Sequence, residues 1–120
     1  EHYVRAKRVQ AVYRQQMDAV FDRVDLIVTP ATPMVAPKIG TVSITFDGID
    51  EAIGNALTRY TTFFNVSGHP AISVPAGAHS SGLPMSVQLV AGYFEEPLLF
   101  KAAAIVESCD RFALPLPNVG

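Results

Sequence analysis

The spacing of apolar residues alternates between helical and strand periods along the chain, and this order is the strongest constraint on its fold. Apolar residues three or four positions apart predict amphipathic helices, and strict alternation or a short unbroken apolar run predicts strands. In chain order, the predicted elements are helix 3–24, strand 25–29, helix 49–62, strand 71–75, strand 84–91 and helix 95–110. This order is typical of an α/β protein.

The predicted sheet is small for an α/β protein. The chain has 120 residues, of which 49% are hydrophobic and 17% are charged, so it can form a globular core. The run Leu26-Ile27-Val28 has no alternation, which predicts a strand covered on both faces. Three firm strands would leave such a sheet incomplete, and we expect at least one exposed apolar edge.

The connecting segments carry turn and cap residues. We predict a loop over 34–48 with a short alternating strand near 42–46, a turn over 65–70 and a flexible connection over 76–83. Asp47 or Asp50 is the expected cap of the second helix. Other expectations are a pair between Arg14 and Asp18, a first-helix stripe of Val9, Tyr13, Met17, Val20 and Val24, and a buried last-helix side of Leu98, Leu99, Ala102, Ile105, Val106 and Cys109.

The charges, cysteine and histidines argue against several classes of partner. The net charge is −2 and no basic cluster is present, so we expect no nucleic acid or membrane partner. No apolar run reaches the roughly 18 to 20 residues that a bilayer requires, and no secretory signal opens the chain, so the default location is cytoplasmic. The single cysteine and the scattered His2, His69 and His79 predict neither a disulfide nor a metal site.

Three stretches, in this order and spacing, resemble the C-terminal region of the amidase signature family. They are residues 25–30 (DLIVTP) with Thr32-Pro33, residues 59–75 (RYTTFFNVSGHPAISVP), and residues 82–90 (GLPMSVQLV), which are followed by an acidic helix start. The resemblance covers about residues 1–112. It implies that residues 1–120 are the C-terminal portion of a larger α/β/α domain with a mixed sheet and covering helices.

The resemblance also implies a chemistry that this chain does not complete. Members of the family hydrolyse carbon–nitrogen amide bonds without metal or organic cofactor, through a serine activated by a second serine and a lysine. Those residues lie in motifs upstream of the region that this chain resembles, and neither motif is present here. Since amide hydrolysis needs a nucleophile, a base and oxyanion donors, we expect no catalytic residue in this chain and no activity from it alone.

One departure separates two branches of the family. The glutaminyl-tRNA-forming amidotransferases place an aspartate seven residues before the Asn of the Asn-x-x-Gly-x-Pro motif, where it holds the substrate amine. Thr58 stands there in this chain, so a substrate ammonium would lack its counter-charge. This favours a general amidase acting on a small amide, and the alternative is the amidotransferase A subunit.

Four residues are candidates for substrate contact, because hydroxyl and amide groups beside prolines can line a pocket. They are Thr29, Thr32, Thr61 and Asn65. The competing interpretation is that these side chains only satisfy loop backbone groups. His69, at a turn that the resemblance places near the substrate, is the histidine best placed for a binding role.

Two serine-containing segments have a stronger structural interpretation than a catalytic one. Ser80-Ser81-Gly82 lies in a connection between strands, and Ser67-Gly68-His69 has no nucleophile-elbow context. An independent hydrolase using Ser67 or Ser81 is therefore the weakest hypothesis. A different class of function stays open, in which the exposed sheet edge pairs with a second copy or with the missing N-terminal part of the protein.

Overall fold

The computed structural model describes residues 1–109 and 112–113, and its elements form an α/β arrangement. The helices are α1 (His2–Phe21), α2 (Ile53–Thr58), α3 (Thr62–Ser67) and α4 (Glu96–Glu107). The strands are β1 (Leu26–Pro30), β2 (Ser43–Phe46), β3 (Ile49–Ala52), β4 (Ala71–Ala78) and β5 (Pro84–Ala91). Residues 114–117 (LPLP), whose prolines predict a tail that cannot continue a helix, lie outside the described residues.

β5 is the centre of a three-stranded antiparallel sheet in the order β1-β5-β4. The strand predicted for residues 84–91 is confirmed, but its burial does not alternate, because its last four residues are all buried. Leu89 and Ala91 join Val74 of β4 and Leu99 and Ala103 of α4 in the main buried cluster. α4 packs on β4 and β5, so it covers one face of two of the three strands. Burial of these apolar side chains holds the sheet and α4 together.

The outer edge of β1 is open in the described structure. The Ala31 N–H donates to the Ser86 carbonyl at 3.1 Å. Every second residue before Ala31, namely Thr29 and Ile27, therefore also directs its backbone N–H and C=O toward β5. Leu26 and Val28 therefore direct theirs outward. The Val28 side chain is 62% exposed, because α4 does not extend over β1. The prediction of an exposed apolar edge is confirmed, whereas the expected cover on both faces of residues 26–28 holds only for Leu26 and Ile27, which are half-buried.

The predicted helix 49–62 is wrong in its first third. Asp47 and Gly48 both adopt positive φ, at 48° and 79°, which is the conformation of a two-residue hairpin turn. Ile49 consequently pairs with Phe46 in the β2–β3 hairpin, and the helix begins only at Ile53. Ala52 is its N-cap rather than either predicted aspartate. The alternating strand near 42–46 is confirmed as β2.

Several predicted boundaries shift. The predicted helix 49–62 is also interrupted near its end, because α2 ends at Thr58 and a separate helix, α3, begins at Thr62. α3 extends to Ser67, so the turn predicted over 65–70 starts at Gly68, and β4 extends to Ala78 into the predicted connection. α1 ends at Phe21 rather than at residue 24, and it contains no buried residue. The last helix ends at Glu107, which leaves Cys109 half-buried beyond it. Ile105 is 72% exposed, because it lies outside the side of α4 that packs on the sheet.

Candidate functional site

A cleft of about 360 Å³ lies between the segment that follows β1 and the adjoining ends of β4 and β5. Pro30 and residues 32–35 form one wall, and Ala76 and His79 stand at the end of β4. The start of β5 completes it with Met85, Ser86 and Val87. Most of these side chains are apolar, so the cleft suits an apolar group with few polar contacts.

The first wall of the cleft is a proline-flanked segment that bends after the end of β1 at Pro30. Pro30 and Pro33 restrict φ at their positions, and Ala31 between them continues the ladder to β5. The Thr32 hydroxyl donates to the Met34 carbonyl at 2.7 Å, which holds the segment in a local turn. Thr32 therefore lines the cleft while its proton satisfies loop backbone, so both interpretations of this residue have support.

Gln88 connects two other candidate residues. Its side chain is buried on β5, and Nε2 donates to the Thr29 hydroxyl at 3.2 Å and to the Tyr60 carbonyl at 3.5 Å. Thr61 follows Tyr60, and its own hydroxyl donates to the Thr58 carbonyl at 3.3 Å. Gln88 is absent from the residues predicted from the sequence, although a polar residue within a buried alternating strand is a detectable signal of a satisfied internal amide.

The four candidates are not gathered in one pocket. Thr32 lines the cleft, and Thr29 and the chain beside Thr61 are joined through Gln88. Asn65 is exposed in the middle of α3. The structure thus places one candidate in the cleft and distributes the others along the sheet and the α2–α3 region.

A hydrogen-bonded chain centred on the buried His69 runs across the junction of α1 and α3 and ends at the exposed Asp18. The ring of His69 has Nδ1 3.0 Å from the Ser67 hydroxyl and Nε2 3.2 Å from Asp18 Oδ1. The ring is stacked between Phe21 and Tyr93, with centroids 5.0 Å and 4.3 Å away. Sequence proximity gave no sign of this arrangement, because Asp18 is 51 residues from His69.

Asp18, His69 and Ser67 are the residue types of a catalytic triad, but this arrangement does not provide a nucleophile. The Ser67 side chain is fully buried, and its hydroxyl also contacts the Phe64 carbonyl at 3.3 Å. A nucleophile must reach its substrate, and this hydroxyl is enclosed by its own helix end. The arrangement instead satisfies buried polar groups where α3 ends.

The same helix end is capped by side chains from α1 and from the turn before α4. Arg14 Nε donates to the Ser67 carbonyl at 2.8 Å, and Gln10 Nε2 donates to the Val66 carbonyl at 2.8 Å. The Tyr93 hydroxyl also donates to the Ser67 carbonyl. The predicted Arg14–Asp18 pair is therefore wrong, because the unpaired carbonyls of α3 attract the Arg14 guanidinium and His69 contacts Asp18.

α1 is attached by these polar contacts, by the stacking of Phe21 on His69 and by a second aromatic pair. Tyr13 packs on Phe63 with ring centroids 5.3 Å apart, and burial raises the pKa of the Tyr13 phenol. Of the predicted stripe, only Tyr13 and Met17 are half-buried, and the other members are exposed. The outer surface of α1 therefore contains unpartnered apolar side chains.

Metal-binding and membrane-spanning features are both missing from the part of the chain that the structure describes. Residues 1–109 and 112–113 contain no group of three or more His, Cys, Asp or Glu side chains arranged to hold a metal ion. None of the helices in that part of the chain combines the length and the apolar character needed to cross a bilayer.

The fold and the sequence stretches at residues 25–33, 59–75 and 82–90 are those of an amidase-type chain, and comparison with known proteins agrees. The family model described as Amidase matches residues 1–100, so the chain belongs to the amidase family. The chain is 36% identical over 116 residues to the A subunit of the glutamyl-tRNA(Gln) amidotransferase of Methylorubrum extorquens (strain PA1). This match covers 95% of the chain and 23% of that protein, so the chain spans about a quarter of the length of such relatives.

Two solved structures share the arrangement. A chain from a vestigial protein complex that reveals the evolutionary origins of an s-triazine catabolic enzyme matches with a TM-score of 0.87 and 31% identity. The match covers 95% of the present chain and 25% of that one. The 6-aminohexanoate cyclic dimer hydrolase matches with a TM-score of 0.68 and 32% identity, over 92% of this chain and 23% of that one. The α/β arrangement is therefore that of amidase signature enzymes.

Proposed function

We propose that residues 1–120 are the C-terminal portion of an amidase that hydrolyses carbon–nitrogen amide bonds through a Ser-Ser-Lys triad located upstream of this chain. The observation that carries the proposal is the family match over residues 1–100, in a chain that spans about a quarter of its relatives. The enclosed Ser67 hydroxyl supports the absence of a nucleophile from this part. The missing N-terminal part of the same protein is then the first partner of this chain.

In this proposal the chain supplies the three strands β1, β5 and β4, the helix α4 that packs on β4 and β5, and one wall of the substrate pocket. The cleft beside Thr32 is the wall, since it is concave, largely apolar and built from two of the three family-like stretches. Gln88 holds β1 and the α2–α3 region at a fixed separation. Thr29, Thr61 and Asn65 would then contact substrate or the residues that enclose it.

A general amidase remains our preferred member of the family, and the amidotransferase A subunit is the alternative. The Thr58 hydroxyl donates to the Gly54 carbonyl at 2.9 Å and carries no charge to balance a substrate ammonium. The nearby Glu51 is already paired with Arg59. Similarity to the Methylorubrum amidotransferase supports the alternative, and similarity to the cyclic dimer hydrolase supports a small uncharged amide substrate.

An activity assay tests this proposal. We expect the complete protein to release ammonia or amine from small uncharged amides, and the 120-residue chain alone to release none. A matched complete protein with Thr58→Asp is expected to gain binding of an amide that carries an α-amino group, because the carboxylate supplies the counter-charge. Steady turnover by the purified chain alone would contradict the proposal.

A second candidate function is assembly through the open edge of β1. Leu26 and Val28 direct backbone donors and acceptors away from the sheet, and the Val28 side chain is exposed. Such an edge pairs readily with another strand, either from the missing part of the protein or from a second copy. The β4 edge is less suitable, since its outward proline, Pro75, lies inside the strand and has no N–H to donate, whereas Pro30, the outward proline of β1, lies at the end of that strand.

The oligomeric state of the chain shows whether the β1 edge pairs with a second copy or with the missing part of the protein. We expect the isolated chain to self-associate in analytical ultracentrifugation and Val28→Lys to shift it toward monomer, because a charge on an edge strand opposes pairing. Ile105→Lys, which changes an exposed apolar residue on α4, is the matched control and should leave the association unchanged. A monomeric wild-type chain with little dye-binding apolar surface would count against the edge as an assembly site.

A further inference from the structure

The turn between β4 and β5 holds His79 in a defined position at the cleft. The His79 N–H donates to the Leu83 carbonyl at 2.9 Å, and the Gly82 N–H donates to the His79 carbonyl at 2.8 Å. Gly82 has a φ of 82°, which the tight turn requires. The backbone of His79 is therefore fixed on both sides, and its side chain lines the cleft.

Contacts with Ser81 determine which ring nitrogen of His79 carries the proton. The Ser81 backbone N–H donates to His79 Nδ1 at 3.2 Å, and the Ser81 hydroxyl lies 2.9 Å from the same atom. Because Nδ1 accepts a hydrogen bond from the backbone, it presents its lone pair. The neutral imidazole then carries its proton on Nε2. The ring thus offers an N–H donor from Nε2, which has no hydrogen-bond partner within residues 1–109 and 112–113.

The rest of the cleft makes this donor distinctive. Among the residues that the structure describes, none of those lining the cleft is Asp, Glu, Lys or Arg, and Met34, Val35, Met85 and Val87 supply apolar walls. The Thr32 hydroxyl proton is already donated to a backbone carbonyl. In a pocket of this kind a small number of polar groups fixes the orientation of the ligand.

We propose that His79 is a specificity-determining residue, whose Nε2–H donates to a hydrogen-bond acceptor on the acyl group of an uncharged amide. The inference rests on the proposed amidase function and names its substrate class: amides with an apolar acyl chain that carries an uncharged oxygen, such as a ketone. The walls bury the chain, and His79 recognises the oxygen. His79 takes no part in breaking the amide bond.

The test pairs a protein variant with a substrate variant in the complete protein. Hexanamide is compared with 4-oxohexanamide and 5-oxohexanamide, which replace one CH₂ group with a carbonyl. For each protein, the keto-amide preference is the kcat/KM of a keto-amide divided by that of hexanamide. We expect this ratio, for at least one keto-amide, to be about two- to tenfold larger in the wild type than in His79→Phe. The change should appear in KM rather than kcat, since the contact is made equally in the ground state and the transition state.

Two control variants separate the hydrogen bond from general damage. His79→Gln keeps a side-chain N–H donor and is expected to recover part of the keto-amide preference. His2→Phe makes the same replacement on α1, outside the cleft lining, and should match the wild type. Thermal unfolding of each variant checks that the turn remains folded.

The outcomes distinguish the role of His79 from the function on which it rests. Equal keto-amide preference in wild type and His79→Phe, with hexanamide still hydrolysed, would overturn the role of His79 and leave the amidase function intact. Failure of the complete wild-type protein to hydrolyse any of the three amides would overturn both. A lower keto-amide preference in His79→Phe, partly restored in His79→Gln, supports the inference.

Discussion

At the residue scale, Gly68 shows how one position joins local conformation to tertiary contact. It ends α3 with a φ of 81°, and its N–H donates to the Phe64 carbonyl at 2.7 Å. A Cβ at this position would lie 3.0 Å from Arg14 Nη2, the side chain whose Nε donates to Ser67. Glycine therefore permits the left-handed helix end and the close approach of α1 together.

Opposite effects on stability are expected for two glycine substitutions. Gly68→Ala should lower the free energy of unfolding by about 1–2 kcal/mol, because an L-residue is strained in the left-handed region. Gly54→Ala should raise it by about 0.5–1 kcal/mol, because Gly54 lies in α2 with open space around its Cβ position. Urea unfolding measures both. A neutral or stabilising effect of Gly68→Ala would contradict the strain argument.

At the element scale, the predictable parts are those in which periodicity and turn residues agree. The residues of β5 follow the strand period, and its predicted bounds are confirmed. Residues 49–62 are different, because Ile49, Ile53 and Leu57 fit a helical stripe while Asp47-Gly48 demands a hairpin turn. The turn determines the structure, since φ is positive at both of its residues and β2 is there to pair with β3.

The candidate site is less predictable than the elements, for a physical reason. Gln88 reaches Thr29 and the Tyr60 carbonyl, which are 59 and 28 residues away. Contacts over such separations depend on how elements pack, and no local pattern encodes them. Thr32 could be identified because it carries a hydroxyl group beside prolines, whereas the cleft role of His79 depends on a turn whose geometry only the structure shows.

At the scale of the whole molecule, many large apolar side chains are exposed in the described part of the chain. α1 has no buried residue, and Val28 and Ile105 project from the sheet and α4. The chain also spans about a quarter of its relatives. Both observations support our proposal that further parts of the same amidase domain cover these surfaces and supply the nucleophile.

The position of the reactive serine tests this central claim most directly. The complete protein would be treated with a fluorophosphonate, digested, and the labelled peptide identified by mass spectrometry. We predict a single labelled serine outside residues 1–120, with Ser67 unlabelled because its side chain is fully buried. A label on Ser67, on Ser81 or on any other serine within residues 1–120 would contradict the account, since the nucleophile would then belong to this chain.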